Sequence, residues 1–88
     1  MDKEKAKEFI FLDIMNDVEK IYISKDLDKL MELNEGTLNS IYAVVDTESG
    51  EKLFEMDFAY SGEPIITRVF LHKKFFMDHY WNIEKIEL

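Results

Sequence analysis

At Gly36 the spacing of apolar residues changes from three-and-four to two, which restricts the chain to folds that set helices against a sheet. Beyond Gly36, "SIYAVVD" alternates Ile41, Ala43 and Val45 with Tyr42 and Val44. "EKLFEMDFAY" then sets Phe54, Met56, Phe58 and Tyr60 on one face and Leu53, Glu55, Asp57 and Ala59 on the other. "TESG" between them reads as a hairpin turn. "SGEP" reads as a second turn, and "IITRVFLH" as a third strand whose two largely apolar faces point to a central or doubly covered position. Glu55 and Asp57 are expected on the sheet face away from the helices, or at its edge.

Before Gly36 the pattern is helical. At about 100° per residue, Ile10, Phe11, Ile14, Met15, Val18, Ile21 and Tyr22 share one side, opposite Asp13, Asn16, Asp17 and Lys20. Phe9 projects onto the polar side, so a helix here either starts after it or leaves it as an exposed apolar contact. A second, shorter helix is expected in "SKDLDKLMELNEG", with Ser24 or Asp26 as its cap, Leu27, Leu30 and Met31 on its inner face, and Gly36 ending it. Asp28, Glu32 and Glu35 would line its outer side.

The stretch "KKFFMDHYW" fits two descriptions. As a strand it aligns Phe75, Met77, His79, Trp81 and Ile83; as a helix it aligns Phe76, Tyr80, Ile83 and Ile86. No capping residue precedes it. Lys73 and Lys74 would stand at the positive end of a helix, and Glu84 and Glu87 at the negative end. With aromatic enrichment, this points to a fourth strand entered through one helical turn.

The expected fold is therefore α+β, one domain over residues 1–88. An N-terminal helix and a short second helix pack on one face of a three- to four-stranded antiparallel β-meander. The helix stripe would rest on Ile41, Phe54, Met56, Phe58, Val69 and Leu71. With 47% hydrophobic and 14% aromatic residues in 88, one Pro and three Gly, the chain can build such a core.

Several chemistries are disfavoured. The absence of cysteine removes disulfides, thiolate zinc sites and a cysteine nucleophile, and fits a reducing, cytoplasmic setting. "FIFLDIM" is broken by Asp13, and no run approaches the roughly 20 apolar residues of a membrane span, so neither a leader nor a membrane partner is expected. His72 and His79 could meet Asp78 or Glu84 at a metal, but the spacing matches no strong motif. Ser40, Ser49 and Ser61 lack an activating context. Gly36, Gly50 and Gly62 are isolated, so there is no phosphate-cradling loop, and "DTESGE" lacks the spacing of a calcium loop. No catalytic residue, metal or cofactor is expected, and the protein is not expected to be an enzyme.

Charge gives the functional expectation. The net charge is −8, and residues 26–63 carry Lys29 and Lys52 against ten acids. Such a chain disfavours direct nucleic-acid binding and favours a basic protein partner. Asp28, Glu32, Glu35, Glu48, Glu51, Glu55 and Asp57 could form one electronegative surface that blocks a basic, nucleic-acid-binding groove. The analogy is with small phage-encoded inhibitors and immunity-type proteins, and no motif here carries a resemblance to a family. The alternative is a self-associating domain or complex subunit, homodimeric in its simplest form, that uses Phe9, Tyr80 and Trp81 as an aromatic contact.

Overall fold

The computed structural model describes residues 6–15, 18–33, 40–57 and 65–88, with side chains at all of these positions but 14, 15, 18, 40, 57 and 65–71. Elements follow in the order β1 (Glu8–Met15), β2 (Val18–Ser24), α1 (Leu27–Leu33), β3 (Ser40–Thr47), β4 (Gly50–Asp57), β5 (Ile65–His72), α2 (Lys73–His79) and β6 (Glu84–Glu87). The strands form one six-stranded sheet in the order β5-β4-β3-β1-β2-β6. Every pairing is antiparallel except that of β6 with β2. The α+β class holds, but the sheet is mixed, and it is larger than a four-stranded meander.

The N-terminal segment is a strand hairpin, not a helix. Phe9 and Phe11 belong to the apolar cluster that contains Leu30 of α1, whereas Ile10 and Leu12 belong to the cluster that contains Phe76 of α2. A strand covered on both faces loses the alternation that betrays a half-buried one, so "FIFL" reads as a continuous run. The apparent helical stripe is divided accordingly: Ile10 and Phe11 point to opposite sides of the sheet. β1 pairs β2 in a register that sets Phe9 against Ser24, Phe11 against Tyr22 and Leu12 against Ile21. The Phe11 and Tyr22 rings stack at 5.8 Å.

The two helices cover opposite faces. α1 packs on β1 and β2, on the face that carries Phe9, Phe11, Ile41, Ala43, Val45, Phe54 and Met56; α2 packs on β4 and β5, on the face that carries Ile10, Leu12, Ile21, Tyr42, Val44 and Leu53. No helix-free face remains, and Glu55, opposite Tyr42 in the β3–β4 register, lies on the α2 side. Of the expected core, Ile41, Phe54 and Met56 are buried. Phe58 lies outside the described residues, as do the side chains of Val69 and Leu71.

Local chemistry sets the shorter features. The Asp28 backbone N–H donates to Asp26 Oδ1 at 3.0 Å, the N-cap bond of α1, and the Asp26 N–H donates to Ser24 Oγ at 3.0 Å. The β3–β4 hairpin closes through Glu48 and Ser49, with Thr47 paired to Gly50. Gly50 has φ +118, a conformation that side-chain-bearing residues rarely adopt, and Thr47 Oγ1 donates to its carbonyl at 2.8 Å.

α2 overturns the strand expected at residues 75–84. Phe76 is buried against Tyr42, with ring centroids 5.1 Å apart, and Tyr80, four residues on, meets Phe76 at 5.0 Å. The expected electrostatic objection is met by distant partners. Lys73, at the helix start, pairs with Glu8 and with Glu51 at 3.5 Å. Lys85 Nζ donates to the carbonyls of Tyr80, Trp81 and Ile83 at 3.2, 3.4 and 3.2 Å, putting a cation at the helix's negative end.

The sheet's two edges are irregular in different ways. β6 has four residues, three of them charged. β5 occupies the other edge, which overturns a central place but not a doubly covered one, since the side chains of 65–71 are not described; its register against β4 shifts twice. Short charged strands and bulges both discourage edge-to-edge pairing.

Candidate protein-interaction surfaces

The acids expected to form one surface are divided by the sheet. Asp28 and Glu32 are exposed on α1, on one side. Glu51 and Glu55 sit on β4 with the α2 side, half-buried, and Glu48 is exposed at the β3–β4 turn. Glu55 stands opposite Arg68 of β5 in the backbone register. Asp57 ends β4 opposite Ile65, and its side chain is not described; Glu35 lies outside the described residues.

Part of this negative charge is neutralised within the chain. Lys7 bonds Glu51 and reaches Asp46 at 3.3 Å, while Lys73 bonds Glu8 and Glu51. The network joins the approach to β1, the β3–β4 hairpin and the start of α2. Hydrogen bonding to Lys7 is the main cause that holds the Glu51 carboxyl below its usual range; burial opposes it. Hydrogen bonds from Glu51 and Asp46 raise Lys7 above its ordinary value. For Lys73, burial pushes down, but the bonds and charges of Glu8 and Glu51 prevail and the net shift is upward. Of the described acids expected at a docking surface, Glu51 alone belongs to this network, where it is paired with both lysines.

The aromatic residues separate equally clearly. Phe9 is buried in the α1-side core, so it takes no part in an aromatic contact. Tyr80 is half-buried between Phe76 and His79, the latter edge-on at 4.6 Å. Trp81 is 76% exposed, the highest value among the exposed large hydrophobic residues described, and Phe75 on α2 is 63% exposed.

The backbone that carries Trp81 is held on both sides. Tyr80 N–H donates to the Phe76 carbonyl at 3.2 Å, Ile83 N–H to the Tyr80 carbonyl at 3.1 Å, and Lys85 gathers three carbonyls of the same turn. The indole of Trp81 thus stands in solvent on a hydrogen-bonded turn. Trp81 was visible in the sequence; its Lys85 support and the exposure of Phe75 were not. The latter follows from the helix, which turns Phe76 inward and Phe75 out.

His72 and His79 stand at the two ends of α2, packed against Phe75 at 6.1 Å and Tyr80 at 4.6 Å respectively. Ser24 Oγ is engaged in the Asp26 turn, and Ser49 sits at the hairpin. Among the described residues, no three His, Asp or Glu side chains are grouped to hold a metal ion. A cleft of about 300 Å³ lies where β1, β2, β6 and α1 meet, and its rim mixes Lys25 and Lys29 with Glu8, Asp26 and Glu87. No helix among the described residues is long and apolar enough to cross a membrane. No family model, curated protein or solved structure matches the chain.

Proposed function

We propose that this protein is a non-catalytic protein-binding domain, a regulator or complex subunit, that docks through the turn after α2 with Trp81 as its anchor. The observation that carries this reading is the 76% exposure of Trp81 on a turn fixed by Lys85. Tryptophan is enriched among the residues that dominate binding energy, and truncating such an anchor costs about 2 kcal/mol or more in affinity. An exposed indole suits a partner surface with an apolar pocket.

A second reading is the inhibitor that blocks a basic site with carboxylates. Exposed Asp26, Asp28 and Glu32 on and beside α1 favour it. Its contact would be the α1 side alone, and its binding would weaken with salt.

Affinity capture from a lysate of the cell of origin, with wild type, Trp81→Ala and Asp28→Lys/Glu32→Lys, separates the two. Loss of a captured partner in Trp81→Ala alone, with retention through a high-salt wash, is the expected result. Retention by Trp81→Ala with loss in the charge-reversed protein would replace the aromatic reading with the acidic one.

A further inference from the structure

We propose that β6 can leave its place beside β2 and take the same place in a second copy of the chain, giving a strand-exchanged dimer. The occupant of the vacated edge is thus residues Glu84–Glu87 of a neighbouring molecule. Its fit is already visible, because the structure shows this sequence seated there in register, Lys20 opposite Glu84, Ile21 opposite Lys85, Tyr22 opposite Ile86 and Ile23 opposite Glu87. The same contacts form whichever molecule supplies the strand, which is why exchange is a low-cost route to dimers.

β6 is a short strand at the sheet edge. It is the shortest strand and makes the one parallel pairing among the described strands, a geometry slightly less stable per residue than the antiparallel one. Glu84, Lys85 and Glu87 are exposed and Ile86 is half-buried, so the strand itself buries little; the apolar packing that opening must disturb is that of Ile83 and Tyr80 in the preceding turn. One further backbone bond, from Leu88 N–H to the Ile23 carbonyl at 2.8 Å, extends the ladder. α2 need not follow, because Phe76 and the Lys73 ion pairs fix it independently to the sheet.

The hinge is the turn at residues 80–83. It is closed by the Ile83-to-Tyr80 backbone bond and by Lys85, whose three bonds to carbonyls are exposed. Lys85 travels with β6, so opening the turn gives up its hold: it acts as a latch on the closed form. Fully extended, four residues span about 13 Å, which lets the freed strand swing away from its own edge.

The ladder gains no new like-charge contact on exchange, because Glu84 meets Lys20 in either form. Repulsion comes from the two bodies of net charge −8, so added salt promotes the dimer. This is the reverse of the salt dependence of acidic docking. The inference does not depend on Trp81 contacting a partner.

The cysteine-free sequence permits a direct test. Chains carrying Lys20→Cys and chains carrying Glu84→Cys are mixed at high concentration, warmed and cooled in a thiol redox buffer, and resolved without reductant. Glu48→Cys mixed with Glu84→Cys is the control. The expected result is a several-fold excess of the K20C–E84C crosslink over the control pair, raised further by salt and by Lys85→Gln. No excess over the control overturns the proposal. So does failure of a K20C/E84C double variant to close a disulfide within one chain, since that would refute the register.

Discussion

Replacing Phe76 by alanine tests the placement of α2. Phe76 is 3% exposed, with Tyr42 and Tyr80 rings at 5.1 and 5.0 Å. A buried aromatic removes about 150–250 Å² from water. At about 25 cal/mol per Å² that area corresponds to roughly 4–6 kcal/mol, and measured Phe→Ala losses in cores run about 3–5. Stability of about 0.05–0.15 kcal/mol per residue gives a chain of this length roughly 4–13 kcal/mol in all, so the variant should be at or near unfolding. Phe75→Ala, one position away but 63% exposed, should stay within about 0.5 kcal/mol of wild type. Urea titration followed by far-UV circular dichroism reads both, and Phe76→Leu supplies a milder variant if Phe76→Ala does not fold. Equal losses at the two positions, or a loss at Phe76 below about 1 kcal/mol, would refute the helical placement.

Three further outcomes are expected. Glu51 has a lowered folded pKa, so its contribution is present above its ordinary value of 4.5 and is lost as pH falls through the folded value; Glu51→Gln should flatten that acid-side loss in a pH series of thermal melts. Asp26→Ala should cost about 0.5–2 kcal/mol in urea titration by removing the α1 cap, whereas Asp28→Asn should cost little. Gly50→Ala should destabilise the protein by about 1 kcal/mol or more in the same assay, because the added side chain would be strained at φ +118; neutrality would mean the hairpin turn can change its conformation.

What the sequence revealed depended on whether a segment had one dry face or two. β3 and β4 were legible because alternation and the Gly50 turn agree, and α1 because its cap and its leucines agree. β1 and β2 were misread because cover on both sides removed the alternation. Phe9 carried the missing signal: it contradicts a helical stripe but shares a strand face with Phe11. α2 was obscured because Lys73, which opposes a helix start, is balanced by Glu8 and Glu51, the first of them 65 residues away. The division of the acids between two sides followed from topology, which local spacing does not encode. Trp81 stood out in the sequence as the single tryptophan, and the structure leaves it exposed.

Trp81 is the only tryptophan, so its fluorescence reports the proposed contact without a label. Acrylamide quenching, measured on the free protein and on its complex with the captured partner, tests that contact most directly. Ready quenching in the free protein and strong protection in the complex are predicted. Equal quenching in both states would mean that the partner is held elsewhere on the molecule.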